Sequence, residues 1–269
     1  MDNSVLQTIE NRVSLRVYDD REISREILDK ILHAAMRAPT AGNQMLYSII
    51  VVKDPKTKEL LSQSCDNQAF IKTAPVLLLF VADHQKCFDY YRMNHVGEYC
   101  SREGLCFEAP QESDLLLAIE DTMAAAQNAV IAAESLGVGS CYIGDILEQI
   151  EFHQKLFHLP QWTFPVALLC LGYYQEGKKP TPRPRFEQEY VVFEEKYRRL
   201  SEEEYRKMFE KREKTFRSEQ NPYHADCFAQ AFYARKTGAK FSKEMARSVR
   251  VGLKQWDGRI LDAQESCEK

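Results

Sequence analysis

Helices and strands in mixed order, gathered around one uncharged helix, make up the fold class that this sequence predicts. Three observations carry that reading. Residues 122–133 hold no formal charge, and Ala124, Ala125, Ala126, Ala129, Ala132 and Ala133 leave a narrow cylinder that neighbours can approach closely. Three apolar runs, at residues 48–52, 76–82 and 165–173, read as buried strands. Amphipathic stretches bounded by capping residues separate those runs and read as helices.

Composition bounds the function. With 269 residues, 44% hydrophobic and 28% charged, the chain is globular and long enough for one large domain or two small ones. A net charge of −4 argues against general nucleic-acid binding. The longest wholly apolar run, residues 75–82, is far too short to span a bilayer. Cys65, Cys87, Cys100, Cys106, Cys141, Cys170, Cys227 and Cys267 form no CxxC pair, and the N-terminus lacks a signal-peptide apolar core. A cytoplasmic protein with no membrane partner is expected.

In chain order, Ser4 is placed to cap a first helix with Val5, Leu6 and Ile9 on one side. From 12 to 18 polar and apolar residues alternate, so an extended backbone puts Arg12, Ser14 and Arg16 on one face and Val13, Leu15 and Val17 on the other. Two guanidiniums flanking a hydroxyl form a phosphate clamp or, equally, a solvated sheet edge. Ser24 caps a second helix running to about Met36, with Ile27, Leu28, Ile31 and Leu32 inward. The loop from Pro39 through Thr40 to Asn43 breaks it, leading either to a ligand's edge or simply into the next strand. Asp54-Pro55 opens a helix around Leu60 and Leu61, and Gln68 precedes the second strand.

Residues 84–113, rich in Phe88, Tyr90, Tyr91 and Tyr99, read as an excursion over the core. His84, Cys87, His95, Cys100 and Cys106 are ligand types that zinc uses, but their spacing matches no standard zinc knuckle, so no metal is expected. After the central helix Gly137 stops the backbone, Gly139 relaxes the turn, Cys141-Tyr142-Ile143 forms a strand-like run and Gly144-Asp145 opens the next helix, over residues 146–157. Bare backbone there lets amides approach a flat or anionic ligand, or serves as an ordinary connection. A dinucleotide fingerprint is excluded, because it needs strand, glycines and helix in that order. Beyond the third strand, the proline-stiffened segment 178–187 points Arg183 and Arg185 the same way, as an anion clamp or a solvated arm. From Ser201 a strongly charged helix is followed by Asn221-Pro222 and a further helical stretch over 243–256. This tail, residues 201–269, is too short and polar to own a core and is expected to wrap the main body or a second subunit.

RVSLR near the start, APTAGN before the first strand, AQNAVIAAESLG followed by YIGD, and PRPR after LGYY together resemble the nitroreductase family of FMN-dependent oxidoreductases, over residues 4–198. The helix motif followed by YIG is similar to the branch of oxygen-insensitive NADPH nitroreductases and NADPH–flavin oxidoreductases. The resemblance implies an α+β fold, an antiparallel sheet packed between helices in an intertwined homodimer, with residues 1–200 as the FMN-binding core. It also implies roles. Arg12, Ser14, Arg183 and Arg185 would hold the FMN phosphate, Arg16 would lie near the ribityl and pyrimidine oxygens, and Gln68 would bond the pyrimidine edge. Thr40 and Asn43 would approach from the partner subunit, while the turn Tyr142, Ile143, Gly144 and Asp145 would lie along the ring with an amide toward N5. The activity implied is a ping-pong hydride transfer from NADPH or NADH as co-substrate, through FMN, to flat acceptors such as nitroaromatics, quinones or flavins. No catalytic nucleophile is then needed, since the cofactor carries the chemistry. Lys211, Arg212, Lys214 and Arg217 lie about where this branch grips the extra phosphate of NADPH, and a solvated charged helix is the other reading of the same residues. Flavin storage without nicotinamide turnover, reductive dehalogenation on the same scaffold and a zinc-binding module are the alternatives.

Overall fold

The computed structural model describes residues 3–217 and 220–260. The chain forms two compact units: one runs to Pro182 and resumes at Glu244, the other is Arg183–Lys243. The first unit contains, in order, α1 (Ser4–Asn11), α2 (Arg25–Met36), β1 (Tyr47–Val52), α3 (Pro55–Ser64), α4 (Phe70–Thr73), β2 (Val76–Asp83), α5 (Gln85–Met93), α6 (Val96–Glu103), α7 (Glu112–Ser135), β3 (Val138–Ile143), α8 (Ile150–Leu156) and β4 (Thr163–Tyr173). The second contains α9 (Glu202–Thr215) and α10 (Phe228–Arg235), and α11 (Lys240–Leu253) returns the chain to the first.

The four strands form one antiparallel sheet in the order β1-β2-β4-β3. Every residue of β2 is buried, as its unbroken apolar run requires of a strand with neighbours on both edges and helices on both faces. Its alternation sorts the core. Val76, Leu78 and Phe80 pack with α2 and α7 on one face, while Leu77, Leu79 and Val81 pack with Leu61, Ile71, Ile146 and the N-terminal extended segment on the other. This helix–sheet–helix arrangement is the α+β fold expected.

The central helix α7 buries Ala125, Ala126, Ala129, Val130 and Ala133 against that first face. Its length and apolar composition would also suit a membrane span, but its apolar stripe is spent on the sheet. A third cluster closes one end of the sheet, where Phe88 of α5 stacks on Phe107 and meets Trp162 edge-on, beside the fully buried Trp256 that follows α11. The excursion at 84–113 is thus a pair of short helices whose inner side belongs to the core.

Several expectations change in detail. Asn3, not Ser4, caps α1, its Oδ1 accepting from the amides of Val5 (3.0 Å) and Leu6 (3.2 Å). Gly139 lies inside β3 and not in a turn, paired with Gly172 of β4, and Leu15 and the Tyr174 ring fill the space that a Cβ would take. The helix expected over 146–157 is a 3-10 turn, Gly144–Leu147, and then α8, broken where Gln149 takes a left-handed φ of 46°. Val17 is exposed, since the extended segment turns after Leu15 to bury Tyr18 instead. The helix α10, absent from the sequence reading, starts at Phe228.

Candidate functional site

The segment 12–16 lies along the free edge of β3. Ser14 bridges in parallel to Ser140, and the Leu15 amide donates to the Ser140 carbonyl (2.9 Å). Val13 and Leu15 are buried and act as anchors, which turns Ser14 and Arg16 outward and leaves Arg12 half-buried. Burial raises the Cys141 thiol, against the opposing pull of Arg16, the Ser14 hydroxyl and Arg12. Burial likewise raises the Tyr142 phenol, with Arg12 opposing. Both guanidiniums therefore act on the end of β3. Neither has a carboxylate partner among the described residues, whereas Arg21, Arg25 and Arg247 are all paired, so their donors remain available to an anion.

The adjoining wall comes from the loop between α3 and α4. Asp66 and Asn67 take left-handed φ values of 53° and 51°, which short polar side chains tolerate, and turn Gln68 back toward β3. Gln68 Nε2 donates to Asp145 Oδ2 (2.7 Å) and to the Cys65 carbonyl (3.1 Å). Arg16 lies over the Phe70 ring, 5.7 Å from its centroid. Between these walls Gly144 is exposed, and a Cβ placed on it would meet nothing within 4 Å. Arg12, Ser14, Arg16, Gln68 and the turn Tyr142–Ile143–Gly144–Asp145 are thus brought together around an open stretch of backbone.

Thr40 and Asn43 are not part of that group. They lead into β1, which is the other edge of the sheet, three strand spacings or roughly 14 Å away. Their loop is organised by Asp121, a carboxylate buried in α7 that accepts from the Thr40 hydroxyl, the Ala41 amide (2.9 Å) and the Leu46 amide (3.3 Å). Asn43 itself is exposed with a φ of 57°. Arg183 and Arg185 open the second unit and are exposed, likewise without a carboxylate partner among the described residues.

Three residues bordering the site, Glu148, His153 and Ser64, escaped sequence reasoning. Glu148 is buried with Oε1 unpartnered, and burial, reinforced by Asp145, Asp66 and Glu244, pushes its carboxyl up to about 7. His153 is fully buried on α8, its Nε2 2.8 Å from Ser64 Oγ and its Nδ1 3.0 Å from the Ile146 carbonyl. Nothing in the local sequence marks them, because their partners are distant in the chain. The zinc-type residues do not converge: His95 pairs with Glu98 (3.1 Å), Cys100 is buried and Cys106 is exposed.

The profile of the nitroreductase family matches residues 9–173, which contain this edge, both of its walls and the Asp121 loop. The chain belongs to the nitroreductase family. A Cr(VI) reductase of Pseudomonas sp. (strain G-1) is 32% identical over 193 residues, covering 72% of this chain and 75% of that protein. An FMN reductase [NAD(P)H] of Bacillus subtilis (strain 168) is 32% identical over 195 residues, with 72% and 75% covered. Among solved structures, B. megaterium NfrA1 superposes with a TM-score of 0.73 at 29% identity, covering 96% of this nitroreductase and 100% of that chain.

Proposed function

We propose that this nitroreductase is an FMN-dependent NAD(P)H oxidoreductase that works as a cytoplasmic homodimer, reducing flat electron-poor acceptors such as nitroaromatics, quinones or free flavins. The observation that carries the reading is the pair of unpaired guanidiniums, Arg12 and Arg16, flanking Ser14 beside the bare backbone of Gly144. That donor set fits FMN. A phosphate dianion calls for several charge-assisted donors, and a planar ring calls for backbone without a Cβ. FMN, when bound, supplies the hydride-accepting and hydride-donating centre. The chain's part is to bind and orient. Arg12 and Ser14, with Arg183 and Arg185 of the PRPR segment, hold the phosphate. Arg16 neutralises charge near the ribityl and pyrimidine oxygens, Gln68 fixes the pyrimidine edge, and Tyr142 to Asp145 line the ring. The nicotinamide donor and the acceptor use the same open face in turn.

The distance of Thr40 and Asn43 from that group supports a site shared between two subunits, in which each chain lends its Asp121-ordered loop to the other's cofactor. In this reading residues 1–200 form the FMN core and the 84–113 helices shape acceptor choice. The unpaired thiols of the described cysteines accord with a reducing cytoplasm. Mixed subunits test the shared site. When an Asn43→Ala chain and a Gln68→Ala chain are co-expressed, each mixed dimer keeps one intact site, so NADPH-dependent quinone reduction returns relative to either variant alone. Absence of rescue in isolated mixed dimers contradicts the shared site.

A further inference from the structure

The two walls flanking Gly144 come from separate parts of the chain. One is the loop 65–69 after α3, the other the turn Gly144–Leu147 after β3, and no backbone hydrogen bond joins them among the described residues. Side chains must hold their spacing. Gln68 to Asp145 is one tie, and it lies at the half-exposed rim of the site. The others lie beneath it and pass through α8. His153 contacts Ser64, the last residue of α3, and the carbonyl of Ile146 in the turn. Gln149 Nε2 adds a long bond to the Ser64 carbonyl (3.4 Å).

We propose that His153 is a positioning residue of this site: a neutral imidazole that clamps the Gln68 loop to the Gly144–Leu147 turn and so sets the width of the slot that receives the flavin ring. The proposal rests on the FMN reading above.

Hydrogen-bond chemistry fixes the Nδ1 proton, and burial disfavours a second one on Nε2. A carbonyl can only accept, so Nδ1 carries the hydrogen toward Ile146; in the neutral ring Nε2 is then an acceptor and takes the Ser64 hydroxyl hydrogen. Both nitrogens are satisfied inside the core, and burial holds the imidazole neutral. Each wall next to the clamp also has left-handed backbone. Asp66 and Asn67 on one side are left-handed in a way their short polar side chains tolerate, while Gln149, just past the turn on the other, has no such ease and is held there by its surroundings. A residue that merely filled the core would not need two directed bonds, one to each wall.

The test uses Ser64→Ala and His153→Asn on the full chain, because His153→Leu removes both bonds and exposes the fold to collapse. Ser64→Ala deletes the loop bond. His153→Asn keeps a donor near the Nδ1 position for Ile146 and loses Ser64. Two readouts are taken: the FMN dissociation constant from flavin fluorescence, and amide hydrogen exchange at residues 65–70 and 144–148 in the flavin-free protein. Each variant is expected to weaken FMN about tenfold and to speed exchange in both segments. In a Gln68→Ala background the weakening should shrink to less than twofold, since Gln68 is what the clamp positions, whereas in an Arg12→Ala background it should persist. Wild-type FMN affinity with unchanged exchange overturns the proposal, and so does a full tenfold loss that survives Gln68→Ala. Should the wild-type protein take up no FMN, the functional reading fails separately. Exchange then decides alone: faster in both segments supports the clamp, and unchanged refutes it.

Discussion

Gly139→Ala is the substitution whose consequence follows most directly from the packing. A Cβ at this position in β3 would stand 2.7 Å from Leu15 Cδ2 and 2.7 Å from Tyr174 Cζ. Carbon atoms in contact sit about 3.5–4.0 Å apart, so each neighbour must retreat by roughly 1 Å. Leu15 is the buried anchor of the 12–16 segment, and its amide is bonded to the Ser140 carbonyl at 2.9 Å, so its retreat pulls Ser14 and both guanidiniums away from β3. Overpacking of this kind costs about 1–3 kcal/mol. In urea the midpoint should fall accordingly with the slope unchanged, and FMN retention should fall with it. Gly144→Ala is the matched control, because its Cβ meets nothing within 4 Å. That variant should unfold within about 0.5 kcal/mol of wild type, as an exposed substitution does, and yet lose FMN affinity if the ring lies on this backbone. A Gly139→Ala protein with wild-type midpoint and flavin content would refute the seating of the segment on β3.

Two further outcomes are expected. Arg12→Ala and Arg183→Ala should each weaken FMN by about 1.5–3 kcal/mol, the range for a hydrogen bond to a charged group, or roughly ten- to hundredfold; wild-type occupancy at limiting FMN in both would remove them from the phosphate site. Glu148→Gln should stabilise the protein in a pH-dependent way. The folded carboxyl keeps its proton up to about pH 7, whereas an unfolded one has lost it above 4.5, so wild-type stability declines through that window and the penalty is complete above it. The gain from the amide should therefore be on the order of 1–3 kcal/mol at pH 8 and vanish near pH 4, measured by urea unfolding at each pH. A gain independent of pH would exclude the buried acid as its source.

Local signals were legible wherever one short stretch decides the structure. The Ser24 cap and the period of Ile27, Leu28, Ile31 and Leu32 give α2, and the unbroken run at 76–82 gives the central strand β2. The site was legible in its linear parts, since the alternation around Ser14 and the bare Gly144 are both written in adjacent residues. What was hidden depends on contacts between distant residues. Gly139 reads as a turn residue until Leu15 and Tyr174 are seen against it. The break at Gln149 is invisible because the apolar spacing runs through it and the residue is not glycine. The role of Asp121 in ordering the loop at Thr40 depends on a contact across 81 positions. Ser64 and His153, 89 positions apart, carry no local pattern at all.

An anaerobic visible spectrum of the FMN-loaded protein, recorded before and after NADPH and then NADH, tests the central claim most directly. The flavin absorption should bleach with at least one nucleotide and return when a quinone is added, the relative rates naming the donor. Flavin that binds but stays oxidised with both nucleotides would contradict the oxidoreductase reading and leave a flavin-binding protein in its place.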